Sequence, residues 1–242
     1  MRKSVELAHR ARDAYVQEQV GWVAGEQGGA AATAYEEAVR RKLWVAGSVG
    51  PYGAFLADGA EYRGEYVVAR DEMKDFHRGR IQALVEAGVD VLACETMPSR
   101  GEVEAVLELL REEFAETEAW FTFTLRDGGH IADGSSLGEI AALFEGVEQV
   151  VGLGFNCVSD DLALVALRQL AELTKKVLVV YPNSGEQWNA NAREWEGKKT
   201  EGSNLAQKTV EWWEAGAVMI GGCCRTTPDD IGTMARALQS LQ

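Results

Sequence analysis

Val150-Val151-Gly152-Leu153-Gly154-Phe155 is a short, almost continuously apolar run, and Asn156-Cys157 follows it directly. A polar turn and an amphipathic stretch come next, and the same three-part unit recurs along the chain. The other apolar runs occupy residues 43–49, 89–94, 119–125, 177–181 and 217–220. Runs that are apolar throughout, rather than alternating, suit strands buried on both faces, as in parallel sheets flanked by helices. Six such runs with helical stretches between them predict a parallel α/β architecture, either a doubly wound open sheet or a (β/α)8 barrel. No G-x-G-x-x-G follows the first run and no P-loop occurs, which weighs against the nucleotide-binding versions.

The intervening stretches carry helix signals. Val5, Leu7, Ala8, Ala11, Ala14 and Tyr15 form an apolar stripe, and residues 30–41 continue helically beyond a Gly-rich interruption at 25–29. Ser99-Arg100-Gly101-Glu102 has the capping-box spacing. Thr227-Pro228-Asp229-Asp230 offers a hydroxyl cap, a proline at the first helical position and acids at the positive dipole end. Ile231, Met234, Leu238 and Leu241 mark the apolar face that follows, as Met73, Phe76, Ile81, Leu84 and Val85 do for a helix stopping at Gly88.

Composition narrows the class. The 242 residues show no break in composition and read as one domain, 1–242. Lys plus Arg number 24 against 38 Asp plus Glu, a net charge of −14 that repels nucleic-acid phosphates and anionic lipid surfaces. No run approaches the roughly 20 apolar residues of a membrane span. The charged start Met1-Arg2-Lys3-Ser4-Val5-Glu6-Leu7 has no signal-peptide core, so a cytoplasmic address is expected.

In parallel α/β folds the chemistry sits at the carboxyl ends of the strands. Those ends read Gly47-Ser48-Val49-Gly50-Pro51-Tyr52-Gly53, Cys94-Glu95-Thr96, Gly154-Phe155-Asn156-Cys157, Tyr181-Pro182-Asn183-Ser184-Gly185-Glu186 and Gly221-Gly222-Cys223-Cys224-Arg225. Cys94, inside an apolar run, reads as a small buried hydrophobe. Cys157, Cys223 and Cys224 instead follow strand ends and glycine-bearing turns, so three thiols converge on one rim from strands two positions apart. Three thiolates without a fourth protein ligand describe a zinc site with an open position, which a sulfur substrate would complete. His9 and His77 fall in helices and read as solvated or half-buried, and His130 reads as a surface-loop residue.

Gly154-Phe155-Asn156-Cys157 and Gly221-Gly222-Cys223-Cys224 resemble the two zinc motifs of the homocysteine S-methyltransferase family. The resemblance runs from Lys3 onward. Lys3-Ser4-Val5-Glu6-Leu7-Ala8, Ala46-Gly47-Ser48-Val49-Gly50-Pro51-Tyr52-Gly53 and Gly222-Cys223-Cys224-Arg225-Thr226-Thr227-Pro228 look especially like its bacterial, yeast and plant branch. The resemblance implies a (β/α)8 TIM-type barrel and a catalytic Zn2+ on Cys157, Cys223 and Cys224. It also implies homocysteine as acceptor, and S-methylmethionine or S-adenosylmethionine as donor. Glu95 matches the acid that meets the substrate ammonium, and Asn156 is expected to orient the loop presenting Cys157. The family's opening Asp-Gly motif and second strand have no counterpart here, and the first 15 residues resemble the helix after that strand. The barrel is therefore expected to be incomplete, with about six strands and apolar edges at the runs 43–49 and 217–220. A catalytically silent zinc-binding fragment is the alternative from another class. Selenocysteine as acceptor, or a betaine-type donor, would keep the chemistry and change the substrate.

Overall fold

The computed structural model describes residues 1–27, 29–40, 42–189, 192 and 194–241. Helices α1 (Arg2–Gln27) and α2 (Gly29–Arg40) precede strand β1 (Ala46–Val49). Helix α3 (Tyr52–Leu56) and a 3-10 turn (Ala60–Tyr62) follow, then α4 (Arg70–Glu86), β2 (Val91–Met97), α5 (Arg100–Glu113) and β3 (Ala119–Phe123). A hairpin of β4 (Leu125–Asp127) and β5 (His130–Ile131) and helix α6 (Leu137–Ala142) lead to β6 (Val150–Asn156), α7 (Asp160–Leu173) and β7 (Val177–Tyr181). A second hairpin, β8 (Gln187–Asn189) with β9 (Glu194–Glu196), precedes α8 (Gly202–Glu214), β10 (Ala217–Ile220) and α9 (Pro228–Gln239).

The main sheet has the order β1-β2-β3-β6-β7-β10, and all its pairs are parallel. It is the six-stranded parallel sheet that the apolar runs predict. Among the described residues β1 pairs only with β2 and β10 only with β7, so the six strands leave two edges where the sequence placed them. Cys157 and Cys223 leave strands separated only by β7, as anticipated. No described helix is long and apolar enough to cross a membrane.

Helices packed on one face of the sheet build the core, while the other face lines an open cleft. Phe121, Phe123, Leu153, Phe155, Val180, Leu109, Leu110, Leu167 and Trp212 are all buried. Each fully buried large apolar side chain contributes about 1.5–3 kcal/mol, against about 0–1 kcal/mol for an exposed ion pair such as Lys3–Glu6. The sheet-and-helix core therefore dominates stability. Gly154 sets how closely β6 and β7 approach: a Cβ there would lie 1.6 Å from the Val179 carbonyl oxygen.

Local differences from the sequence reading have identifiable causes. The first run becomes a strand only at Ala46, because the Leu43 amide closes a turn on Arg40 and the Val45 amide donates to Asp90 Oδ2 at 2.7 Å. Helix α1 runs through Gly25 to Gln27. Thr227 caps α9 as expected and forms a capping box with Asp230, and Met234 is buried, but Ile231 and Leu241 are exposed. Ser99 caps α5 without a side-chain bond. Glu102, the expected partner in that box, is instead buried and accepts from the Tyr52 amide, the Tyr66 hydroxyl and His77 Nε2 at 2.7 Å. His77 is thus fully buried rather than half-solvated; Arg80 donates to its Nδ1, and burial pushes its pKa down. This buried group pins the loop after β1 against α4 and α5.

Gly154→Ala is expected to lower stability by about 3 kcal/mol or more, because backbone must move aside. That corresponds to a fall of about 6–12 °C in Tm. Gly79→Ala, on α4 with nothing within 4 Å of the added Cβ, should leave Tm level or raise it slightly. Equal Tm values for Gly154→Ala and the parent, measured by thermal circular dichroism, would contradict this account of the β6–β7 approach.

Candidate functional site

The carboxyl ends of β6, β7 and β10 are joined by backbone bonds. The Asn183 amide donates to the Val158 carbonyl, the Cys223 amide to Pro182 and the Ser184 amide to Cys224, at 2.9, 2.8 and 3.1 Å. These bonds bring Cys157, Cys223 and Cys224 together. Their Sγ atoms all lie within 4.8 Å of one another, with Cys157 2.6 Å from Cys223 and 3.8 Å from Cys224. Cys94 is fully buried away from them, and burial pushes its thiol pKa up.

The donor set fits a soft divalent ion. Zinc–thiolate bonds of about 2.3 Å in a tetrahedron separate the sulfurs by about 3.8 Å. Cys157 and Cys224 already have that spacing, whereas Cys157 and Cys223 must part by about 1 Å to seat an ion. Among the described residues the cluster has these three members, and it has no histidine. Thiol hydrogen bonds from Cys157 and Cys223 pull the Cys224 pKa down to about 3. The same bonds hold Cys157 protonated by raising its pKa. A metal needs all three thiols deprotonated, so its binding releases protons.

Asn156 holds this geometry. It is buried, and its Oδ1 accepts from the Thr96 amide and from Thr122 Oγ1, both at 2.7 Å. Its Nδ2 donates to Thr96 Oγ1 at 2.8 Å and reaches Cys223 Sγ at 3.8 Å. The residues it fixes are conformationally strained: Thr96 has φ 63° and Cys157 φ 53°, and Arg225, directly after Cys223-Cys224, has φ 67°. Left-handed backbone at non-glycine residues costs about 1–3 kcal/mol each and persists only where surrounding contacts dictate it. Arg225 is held by Glu186, at 3.0 Å.

Glu95, at the end of β2, lines a cleft of about 390 Å³ with Ser48, Trp120, Tyr181, Gly221 and Gly222. Ser48 Oγ donates to Glu95 Oε1 at 2.5 Å and the Tyr181 hydroxyl to Oε2 at 3.0 Å. Trp120 Nε1 donates to the Tyr181 oxygen at 3.1 Å, and burial beside Glu95 keeps that phenol protonated by raising its pKa. Tyr181 also lies 2.8 Å from Thr122 Oγ1. A continuous polar path thus runs from Glu95 through Tyr181, Thr122 and Asn156 to Cys223. The sequence reading singled out both ends of this path but not Ser48, Thr96, Thr122 or Tyr181; for Ser48, Thr96 and Tyr181 the available signal was a polar side chain at a strand end. His130 stays on the surface hairpin, bonded to Asp127 at 2.7 Å.

The profile of the homocysteine S-methyltransferase family matches residues 1–238. The chain belongs to this family. The Escherichia coli (strain K12) protein named homocysteine S-methyltransferase is 47% identical over 232 residues, covering 96% of this chain and 69% of that relative. A protein of Astragalus bisulcatus named selenocysteine methyltransferase is 38% identical over 245 residues, covering 100% of this chain and 71% of that relative. The crystal structure of the homocysteine methyltransferase MmuM from Escherichia coli in its metallated form matches with a TM-score of 0.78 at 46% identity, covering 97% of this chain and 69% of that one. This chain therefore spans 69–71% of the length of these family members.

Titrated anaerobically with Zn2+ or Co2+, the chain is expected to bind about one equivalent. Alanine at Cys157, Cys223 or Cys224 should abolish stoichiometric binding, and Cys94→Ala should not. Metal retained by Cys223→Ala but lost by Cys94→Ala, in metal analysis after gel filtration, would overturn the ligand assignment.

Proposed function

We propose that this chain transfers a methyl group from a sulfonium donor, S-methylmethionine or S-adenosylmethionine, to the sulfur of homocysteine, yielding methionine, with Zn2+ held by Cys157, Cys223 and Cys224. The observation that carries this reading is the three-thiol cluster joined by one polar path to a carboxylate in an open cleft. An amino-acid thiol has its ammonium and its sulfur a few bonds apart, and Glu95 and the metal on the thiol cluster would be the partner for each. When bound, zinc would supply the Lewis acidity that keeps an acceptor thiol deprotonated at neutral pH, where a free thiol is mostly protonated.

The chain's own residues do the rest. Glu95, its two oxygens already oriented by Ser48 and Tyr181, accepts the substrate ammonium through charge-assisted hydrogen bonds. Asn156 is a positioning residue: it bonds Thr96, next to Glu95, and reaches Cys223, so it sets the distance between the ammonium site and the sulfur site. Transfer needs no general acid, because a sulfonium leaves as a neutral thioether. Alignment of the two sulfurs about the methyl carbon is then the main contribution asked of the protein. Selenocysteine suits the same soft site as an acceptor, in keeping with the name of the Astragalus relative. A second reading, a zinc-binding chain without turnover, is favoured by one observation: the unpaired edges β1 and β10 supply Ala46, Ser48, Met219 and Ile220 to the wall of the cleft.

Zinc-loaded protein supplied with homocysteine and S-methylmethionine should form methionine, followed by mass spectrometry, and S-adenosylmethionine in parallel identifies the donor. Glu95→Gln should raise the homocysteine KM about 10- to 100-fold while zinc content holds, from loss of a charged hydrogen-bond partner. No methionine from the zinc-loaded parent chain would favour the reading without turnover. An unchanged KM in Glu95→Gln would remove that residue from the pocket.

A further inference from the structure

Strand β1 carries Ser48, whose hydroxyl orients the Glu95 carboxylate, yet its own ladder restrains it weakly. It is four residues long and, among the described residues, pairs with β2 alone. Close packing does not fix the continuing loop at Gly50 either, where an added Cβ would meet nothing within 4 Å. What holds that loop is a chain of polar groups from α4 and α5. Arg80 Nη2 donates to the Gly50 carbonyl at 3.1 Å, and Glu102 Oε1 accepts from the Tyr52 amide at 2.6 Å. His77 stands between the two, with Nδ1 2.8 Å from the same Arg80 nitrogen and Nε2 2.7 Å from the same Glu102 oxygen. One nitrogen and one oxygen thus grip the loop on either side of Pro51, and a single buried imidazole joins them.

These three groups allow one arrangement of protons. Arginine donates and cannot accept, so His77 Nδ1 accepts from Arg80 and the ring proton sits on Nε2, donated to Glu102. A second ring proton would set two donors and two positive charges face to face at Arg80. Burial opposes that proton by pushing the His77 pKa down. The guanidinium itself is seated on Phe76, 4.1 Å from the ring centre, and Tyr52 packs edge-on against the same ring at 4.9 Å. The Tyr66 hydroxyl occupies the other oxygen of Glu102. We infer that Arg80 and His77 are positioning residues for the acceptor: they place Gly50, and so Ser48 two residues before it, where its hydroxyl holds the Glu95 carboxylate ready for the substrate ammonium. The inference rests on the reading of Glu95 as the ammonium partner. Neither Arg80 nor His77 lines the cleft, so both act through Ser48. Without the Arg80 bond the edge strand loses a fixed point just past Ser48, and the carboxylate loses its hold on one oxygen.

The test compares two thiol acids by calorimetric titration of the zinc-loaded 242-residue chain: homocysteine, and 4-mercaptobutanoate, which is homocysteine without its amino group. The parent should bind homocysteine at least about 10-fold more tightly, through the charged pair with Glu95. Arg80→Met keeps a stem on Phe76 and removes the donor; it should weaken homocysteine about 3- to 30-fold and leave 4-mercaptobutanoate affinity and zinc content at parent values. In a Ser48→Ala background the same substitution should cost homocysteine nothing further, the signature of action through that hydroxyl. His77→Asn, which keeps an acceptor close to the place of Nδ1, should retain more homocysteine affinity than His77→Leu. If Arg80→Met melts below the assay temperature, Arg80→Lys takes its place, with the same selectivity and a smaller loss. Equal losses for the two acids, or a full loss persisting in the Ser48→Ala background, would overturn the inference. A parent chain without preference for homocysteine would instead defeat the reading of Glu95 as ammonium partner. The expected pattern without any methionine being formed would defeat the transfer reaction and leave the positioning role standing.

Discussion

One buried amide ties the molecule's chemistry to its fold. Asn156 is the last residue of β6, and its side chain bonds across the sheet to Thr122 on β3 and to Thr96 on β2 while reaching Cys223 beyond β10. Parallel strands in register deliver these groups to one rim, but register alone leaves the loops beyond the rim free to vary. The amide removes that freedom. Its Oδ1 takes two donors and its Nδ2 engages two acceptors, so the group is fully used in a setting where a missing partner costs about 1–3 kcal/mol. The left-handed backbones of Thr96 and Cys157, immediately beside it or bonded to it, are sustained by that satisfaction.

The Glu95 cleft presents a carboxylate clamped by two hydroxyls, suited to an ammonium that donates hydrogen bonds. It ends at Gly221 and Gly222, next in sequence to the thiols of Cys223 and Cys224. Behind β1, the Glu102–His77–Arg80 group fixes the loop that begins at Gly50 through bonds to the Tyr52 amide and the Gly50 carbonyl, which steadies the wall that carries Ser48.

Much of this was legible in the sequence for a physical reason. Strands of a parallel sheet leave an almost unbroken apolar signature, so all six were found, four of them with shifted ends. The ends shifted where side chains replaced ladder bonds, as Asp90 does at Val45, or where the strand continues past a polar residue, as β2 does through Glu95 to Met97. The three cysteines stood out because they follow strand ends and glycine-bearing turns. Ser48, Thr122 and Tyr181 did not, because their importance comes from bonds between strands 34 to 86 residues apart. Glu102 was misread for a related reason: its spacing from Ser99 fits a local cap, but three donors from the β1 loop and α4 compete for the same carboxylate and win.

The central claim, that the Asn156 amide holds the thiol cluster in its metal-ready arrangement, is tested most directly by the zinc dissociation constant of Asn156→Ala, determined by competition with a chelator on protein shown to be folded by thermal melting. Removing a partner that orients metal ligands typically weakens metal binding about 10- to 100-fold, and that is the loss expected here with all three cysteines intact. Zinc affinity equal to the parent's in a folded Asn156→Ala protein would show that the backbone alone positions Cys157, Cys223 and Cys224, and would contradict the account.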